Sequence, residues 1–183
     1  SYLKIGATLV LQRNMRNTDQ ISRACLNIIN QPCDQESLSG VGGPQPELMF
    51  YETETLDSLV EKALHKLVFL EHIDERRISV ITLETEGSSS VSSALQERIR
   101  EFKTVRKFKG LENDFIIIVD ANLAHIVDPV RQRLLYVALS RARVHSIILM
   151  QSNPVYKDYL LKTWSCAEEE LSGKIESFIR EGV

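Results

Sequence analysis

Apolar and polar positions along the chain follow two alternating periods. Short apolar runs predict strands, and the run at residues 115–119, which is rich in β-branched residues and bounded by charge, is typical of a strand buried on both faces of a parallel sheet. Such runs occupy residues 7–12, 47–51, 78–83, 115–119 and 146–150. Because helical spacing fills the stretches between them, the sequence predicts βαβ units. We therefore expect an α/β fold with a mostly parallel sheet and helices on both faces.

Five stretches carry the helical period. The first helix begins at Asn17 or Thr18 and should end near Asn30, because a proline follows shortly after it. The second begins at Thr55 or Asp57 and is the clearest amphipathic helix of the chain. The remaining helices are predicted at residues 94–102, across residues 134–142, and from residue 155 to 164, in a tail that Gly173 would interrupt.

The length of the chain favours one domain. A chain of 183 residues, 43% of them hydrophobic, can bury one sizeable core, whereas a second domain would be cramped. Glycine, proline and serine gather in residues 31–46, and serine in residues 84–93, which predicts two surface loops. We therefore expect residues 1–183 to form a single domain, in which residues 154–183 are a helical tail.

Composition argues against several classes of protein. No apolar run approaches the ~18 residues needed to cross a bilayer, and the N-terminus lacks the features of a signal peptide. An intracellular protein without a membrane partner is expected. The 3 cysteines have no C-x-x-C spacing, so neither a disulfide framework nor a zinc site is indicated. The net charge of −3 argues against a wholly basic nucleic-acid binder, although a local cationic stripe could still serve one.

Cationic residues stand beside three of the predicted strands. Arg16 follows the first strand, Lys109 and Gly110 precede the strand at 115–119, and Arg141 lies on the helix before the last strand. Guanidinium groups hold phosphoryl oxygens bidentately, and an arginine over a transferring γ-phosphoryl group stabilises the charge that develops there. A single arginine in a loop is usually a solvated surface residue, so it is the combination that favours a phosphate site.

These segments resemble motifs of the second, C-terminal RecA-like domain of UvrD/Rep-type superfamily 1 helicases. Residues 11–18, LQRNMRNT, resemble the L-x-x-N-Y-R-S-T segment that presents an arginine to the ATP γ-phosphate, with Met15 in place of the tyrosine. Residues 135–142, LYVALSRA, resemble the final motif Y-V-A-x-T/S-R-A, whose arginine acts as a finger on that phosphate. The resemblance implies that Arg16 and Arg141 are the catalytic arginines and bind ATP.

The third motif is divided between two ligands. Residues 104–112, TVRKFKGLE, resemble the family segment T-x-H-x-x-K/Q-G-L-E. The resemblance implies that Gly110 and Glu112 lie on the nucleotide side. It also implies that Thr104, Arg106 in the place of the usual histidine, and Lys107 contact single-stranded nucleic acid. Phe108 could stack on a base, but an aromatic residue beside a buried strand more often belongs to the core.

No G-x-x-x-x-G-K-[ST] segment occurs in the sequence, nor does an acidic strand end of the D-E-x-Q kind. The chain therefore looks like half of an ATPase, a RecA-like domain that lacks its own P-loop. The resemblance implies that ATP and Mg²⁺ are bound mainly by an N-terminal RecA-like domain of the same protein. This half alone is expected to be inactive, and no metal ligands are expected in it.

Two functions of different classes follow. The first is the C-terminal motor domain of an ATP-dependent helicase or translocase in the cytoplasm, nucleoid or nucleus. Such a domain would contribute arginines to the ATP cleft and a contact surface for single-stranded nucleic acid, expected to be DNA. The alternative is a degenerate helicase-like domain that acts as a non-catalytic nucleic-acid or protein-binding module. A P-loop elsewhere in the same protein would distinguish the two.

Overall fold

The computed structural model of the protein describes residues 16–51 and 55–182. Five parallel strands form the centre of the fold. The strands are β1 Glu47–Tyr51, β2 Ile78–Thr82, β3 Phe102–Thr104, β4 Asn113–Asn122 and β5 Ala142–Gln151. Their order across the sheet is β1-β5-β4-β2-β3, and every neighbouring pair is parallel. The predicted parallel sheet is confirmed, while the strand predicted at residues 7–12 lies outside the described residues.

Helices cover both faces of this sheet, as predicted. They are α1 Asp19–Ile28, α2 Leu56–His65, α3 Ser93–Arg98, α4 Ala124–Val127, α5 Pro129–Leu139, α6 Pro154–Trp164 and α7 Glu168–Glu181. On one face α1, α5 and α7 pack with Ile116 and Ile118 of β4. On the other face α2 and α3 pack with Ile117 and Val119. Both faces of β4 are therefore buried, which explains its nearly continuous apolar run.

Two predicted helices end earlier than their patterns indicated. The helix predicted at residues 94–102 ends at Arg98, and Phe102 instead begins β3, which pairs with β2. The helix predicted across residues 134–142 ends at Leu139, and Ala142 opens β5. Arg141 therefore lies between a helix and a strand and not on the helix. In both places pairing with a neighbouring strand outweighs the local helical period.

The C-terminal tail also differs from its prediction. Gly173 does not interrupt α7, which continues from Glu168 to Glu181. A glycine inside a helix costs about 1 kcal/mol relative to alanine. Here Leu171 and Ile175 on either side of it are buried against the core, and this burial holds the helix together.

His125 on α4 makes the fold sensitive to acid. Its ring is buried, and its Nδ1 lies 3.2 Å from both the backbone nitrogen and the carbonyl oxygen of Asn122, so the tautomer decides whether it accepts or donates. Burial is the main cause that lowers the pKa of His125 from 6.5 to about 4. The hydrogen bond with the backbone of Asn122 opposes this effect, as does the charge of Asp128, while the nearby positive charge of Arg131 adds to it. The native state therefore contains the neutral imidazole.

We expect the free energy of unfolding to fall as the pH is lowered from 6.5 to about 4. In that window the unfolded chain binds more protons than the folded chain, so protonation favours unfolding, by up to about 3 kcal/mol for this group. Urea denaturation at several pH values measures the effect. His125→Gln should lose this part of the pH dependence while keeping the part due to carboxylates. An unchanged slope in that variant would contradict the assignment.

Candidate functional site

The structure brings the residues predicted on the nucleotide side together at the edge of the sheet where β4 and β5 begin. We call this edge the amino edge. The Nε of Arg16 lies 2.9 Å from Oε2 of Glu112. The backbone N–H of Asn113, the residue after Glu112, donates to the carbonyl of Arg141 at 3.2 Å. Because β4 and β5 are adjacent and parallel, the residues that precede them lie side by side. Residues far apart in sequence thus share one edge of the sheet.

The segment that carries Arg16 is fixed to this edge by its next two residues. The backbone N–H of Thr18 donates to the carbonyl of Arg143 at 3.0 Å. The side-chain amide of Asn17 donates to the carbonyls of Ser140 at 3.0 Å and Ala142 at 2.6 Å. Asn17 and Thr18 are both buried. The position of Arg16 therefore depends on contacts with the backbone around Arg141.

Charges of both signs alternate along the amino edge. The Nε of Arg143 lies 3.9 Å from Glu112 and 3.7 Å from Asp114, and Arg77 pairs with Asp114 at 2.7 Å. The side chains of Arg16 and Glu112 are 52% and 38% exposed, so their ion pair is in contact with solvent. Exposed ion pairs contribute little to stability. Arg16 can therefore exchange Glu112 for another anion at small cost.

Arg141 differs from the arginines around it. Its Nε is buried, yet it has no hydrogen-bond partner among residues 16–51 and 55–182. A buried guanidinium N–H normally has an acceptor, and its fork geometry suits phosphoryl oxygens. Arginine side chains of the kind that binds phosphoryl oxygens thus gather at this edge, and the Nε of Arg141 is a donor that has no acceptor among the described residues.

Gly110 shapes the approach to this edge. Its φ of +82° lies in the left-handed region, which glycine adopts without strain. The turn is closed by a hydrogen bond from the backbone N–H of Leu111 to the carbonyl of Phe108 at 3.0 Å. The left-handed backbone of Gly110 therefore sets the direction in which the chain approaches Glu112.

The opposite edge of the sheet, where the strands end, is the carboxyl edge. It carries Thr104, Arg106 and Lys107. Thr104 pairs with Thr82, which in turn pairs with Val119 near the far end of β4. At about 3.3 Å per residue, this places Thr104 roughly 20 Å along the strand direction from the start of β4. Residues 105–112 must therefore run back along the strand direction, from the carboxyl edge of the sheet to its amino edge. The two ends of this motif thus lie at opposite edges of the sheet, while its division between two ligands stays a prediction.

The three side chains at the carboxyl edge differ in accessibility. Thr104 is only 8% exposed, and its hydroxyl accepts a hydrogen bond from the backbone N–H of Lys107 at 3.2 Å. Arg106 and Lys107 are exposed, and the Nζ of Lys107 pairs with Glu86 at 2.6 Å. The geometry supports Arg106 and Lys107 as surface contacts, whereas the Thr104 hydroxyl stabilises the turn.

Phe108 belongs to the core, as the more conservative interpretation of the sequence predicted. Its side chain is 1% exposed and packs in the same cluster as Ile116, Ile118 and α1. The Nζ of Lys103 lies 5.8 Å from the ring centroid. The ring therefore offers no free face to a base in this structure.

Three residues of the site were not predicted from the sequence. Asn17 and Arg143 make the contacts described above at the amino edge. Asp120, which has a left-handed φ of 60°, holds the serine-rich loop at the carboxyl edge. Its carboxylate accepts from Ser89 Oγ at 2.6 Å and from the backbone N–H of Ser90 at 2.9 Å. A polar residue that ends an apolar run is the one sequence signal that marks Asp120.

The described part of the chain lacks two kinds of feature. Within it, no group of three or more histidine, cysteine, aspartate or glutamate side chains could hold a metal ion. None of its helices is both long and apolar enough to cross a membrane.

Comparisons with known proteins agree with the motifs. Residues 102–149 match the family model of the UvrD-like helicase C-terminal domain. No curated protein sequence matches the chain. A solved structure, the C-terminal domain of a possible DNA helicase from Lactobacillus plantarum WCFS1, superposes with a TM-score of 0.55 at 18% identity, covering 78% of this chain and 92% of that one. At this identity the superposition shows the fold alone. Family model and fold together confirm the resemblance predicted from the motifs, that of this chain to the C-terminal RecA-like domain of UvrD-type helicases.

Proposed function

We propose that this chain is the C-terminal motor domain of an ATP-dependent helicase or translocase that moves along single-stranded nucleic acid. The observation that carries the proposal is the meeting of Arg16, Glu112 and Arg141 at one edge of the sheet. Arginines gather there with the carboxylates of Glu112 and Asp114, and the sequence contains no P-loop. This edge therefore supplies half of an ATP site, and a second domain with a P-loop supplies the other half and the Mg²⁺ ligands.

The arginines of this edge would act on the phosphates. During phosphoryl transfer, negative charge is redistributed over the γ-phosphoryl oxygens and the leaving group, and a positioned guanidinium stabilises it. The side chain of Arg141 is half-buried, and its guanidinium would turn outward so that the Nε, which has no acceptor among the described residues, donates to such an oxygen. Arg16 would leave its exposed pair with Glu112 and contact the phosphates when the cleft closes. Glu112 would then be available to accept a hydrogen bond from a ribose hydroxyl.

The segment between the two edges would couple ATP to movement. It begins at Thr104, beside Arg106 and Lys107, and ends at Glu112 on the nucleotide side. Its middle is anchored because Phe108 is buried in the core. Closure of the cleft on ATP would thus displace the nucleic-acid surface and the arginine edge together, as one rigid unit.

The deciding experiment uses the protein that contains this domain together with its P-loop domain. Single-strand-stimulated ATP turnover is measured for that protein and for its Arg141→Ala variant. Loss of turnover in the variant supports the motor function. Equal turnover would show that Arg141 takes no part in catalysis, and would favour the alternative, in which this domain binds nucleic acid or protein without a catalytic role of its own.

A separate prediction concerns the carboxyl edge. We expect the isolated chain to bind oligothymidine, and the Arg106→Ala/Lys107→Ala double variant to bind it more weakly at low salt. Backbone contacts release counterions, so the slope of log K against log salt should become shallower by about 0.7 for each phosphate contact removed. Fluorescence anisotropy at several salt concentrations measures both quantities.

Lys174→Ala is the matched control for this experiment. Lys174 is an exposed lysine on α7, where it donates to the backbone carbonyl of Trp164. Its removal changes the net charge of the chain by the same amount as one of the two substitutions. A change of slope in the control that is half as large as in the double variant would show that net charge, and not the carboxyl edge, determines binding.

A further inference from the structure

The side chain of Asn17 connects the segment that carries Arg16 with the segment that carries Arg141. It is 6% exposed, whereas the neighbouring Arg16 extends into solvent. Its amide donates one hydrogen bond to the carbonyl of Ser140 and a second to the carbonyl of Ala142. These two carbonyls flank Arg141 on its two sides. A single side chain thus fixes the backbone on both sides of Arg141 and lies directly next to Arg16.

The backbone of Arg141 is held from its other side as well. Its N–H donates to the carbonyl of Ala138 at 3.1 Å, and its carbonyl accepts from the backbone N–H of Asn113 at 3.2 Å. By contrast, the Nε of its side chain has no hydrogen-bond partner in the described residues. The direction of the guanidinium therefore depends on the backbone, and Asn17 is the one side chain described as donating to the carbonyls that flank it.

We propose that Asn17 is a positioning residue, which sets the guanidinium of Arg141 relative to Arg16 for their joint action on the γ-phosphoryl group. This inference rests on the proposed ATP function. Bridging two carbonyls requires two N–H donors on one planar group, which a primary amide has and a carboxylate or hydroxyl does not. Since Asn17 does not itself reach the ATP phosphates, it acts through Arg141.

The test uses ATP turnover of the protein with its P-loop domain. Asn17→Ala is expected to lower kcat on the order of 10-fold to 100-fold, because displacement of a catalytic group by about 1 Å has an effect of this size. The KM for ATP should stay within about 2-fold, since an interaction made only in the transition state is affected. Asn17→Ser, which retains one donor, should lie between the wild type and the alanine variant.

Asn27→Ala is the matched control. Asn27 lies on α1, and its amide also donates to a backbone carbonyl, that of Ile179 on α7, at 3.0 Å. It lies on the helix that begins shortly after Asn17 but has no part in the proposed site. The control should lower thermal stability to a similar degree and leave kcat unchanged. A loss of kcat that follows stability equally in both variants would overturn the inference.

A double-mutant cycle separates positioning from a general structural role. If Asn17 acts through Arg141, Asn17→Ala should cause no further loss of kcat in the Arg141→Ala background. Additive losses would overturn the inference. Full activity of Asn17→Ala, with Arg141→Ala inactive, would overturn it and leave the proposed function intact. Full activity of Arg141→Ala would remove the proposed function, and this inference with it.

Discussion

Replacing Arg141 by alanine is expected to lower single-strand-stimulated ATP turnover on the order of 10³-fold or more, as loss of an arginine finger does. The reason is that its guanidinium would stabilise charge that develops only in the transition state. The side chain makes no ion pair among the described residues, and its Nε has no acceptor there. Its removal should therefore leave the fold unchanged, so that the lost rate reports on chemistry. Steady-state kinetics and a melting curve of the same preparation measure both.

Two further substitutions sharpen this prediction. Arg141→Lys keeps the positive charge but loses the planar fork that binds two oxygens, so we expect most of the loss to remain. Arg133→Ala removes an exposed arginine from α5, the preceding helix, and should leave turnover unchanged. If Arg141→Ala and Arg133→Ala had equal turnover, Arg141 would have no catalytic role.

The strands that the sequence predicts well are those buried on both faces. Residues 115–119 are apolar throughout, residues 146–150 are apolar except for Ser146, and both runs lie within β4 and β5 at the centre of the sheet. A strand in this position cannot expose alternate residues, and its composition therefore reveals it without knowledge of its neighbours. The edge strand β3 has three residues, two of them half-buried, and carries no such signal. Only pairing with β2 defines it.

The prediction that Arg141 lies on a helix was wrong for a related reason. Tyr136, Ala138 and Ala142 continue a helical period through the end of α5, so the local pattern extends the helix across Arg141. Contacts across 123 to 126 residues of sequence, from Asn17 and Thr18, instead hold the turn at residues 140–141 and the extended residues 142–144. No local rule could include these contacts, although the motifs identified Arg16 and Arg141 as partners.

The candidate site was predicted as a set of residues but not as a network. Arg16, Glu112 and Arg141 were assigned from motifs, and the structure brings them to one edge. The motifs contain no information about Asn17 or Arg143, since an amide and one more arginine in such segments have no distinctive pattern. Their roles depend on which carbonyls and carboxylates lie opposite them, and only the folded chain determines this.

Phe108→Ala is expected to lower the free energy of unfolding by about 3–5 kcal/mol, as the loss of a large buried side chain does. The ring is 1% exposed and packs between β4 and α1 in the core. Few other substitutions would affect the segment between the two edges so strongly, because Phe108 anchors its middle. Urea denaturation of the isolated chain measures the change. Phe108→Leu, which nearly preserves volume, should cost less than about 1.5 kcal/mol.

The leucine variant also distinguishes a core role from base stacking. If Phe108 stacked on a base, Phe108→Leu would weaken binding of oligothymidine by about 1–3 kcal/mol, the usual contribution of an aromatic ring to such a contact. Because the ring is enclosed by the core, we expect unchanged affinity in a variant that remains folded. A clear loss of affinity at native stability would show that the segment opens on nucleic acid and exposes the ring. In that case the two edges would be coupled by local rearrangement, and not by movement of a rigid segment.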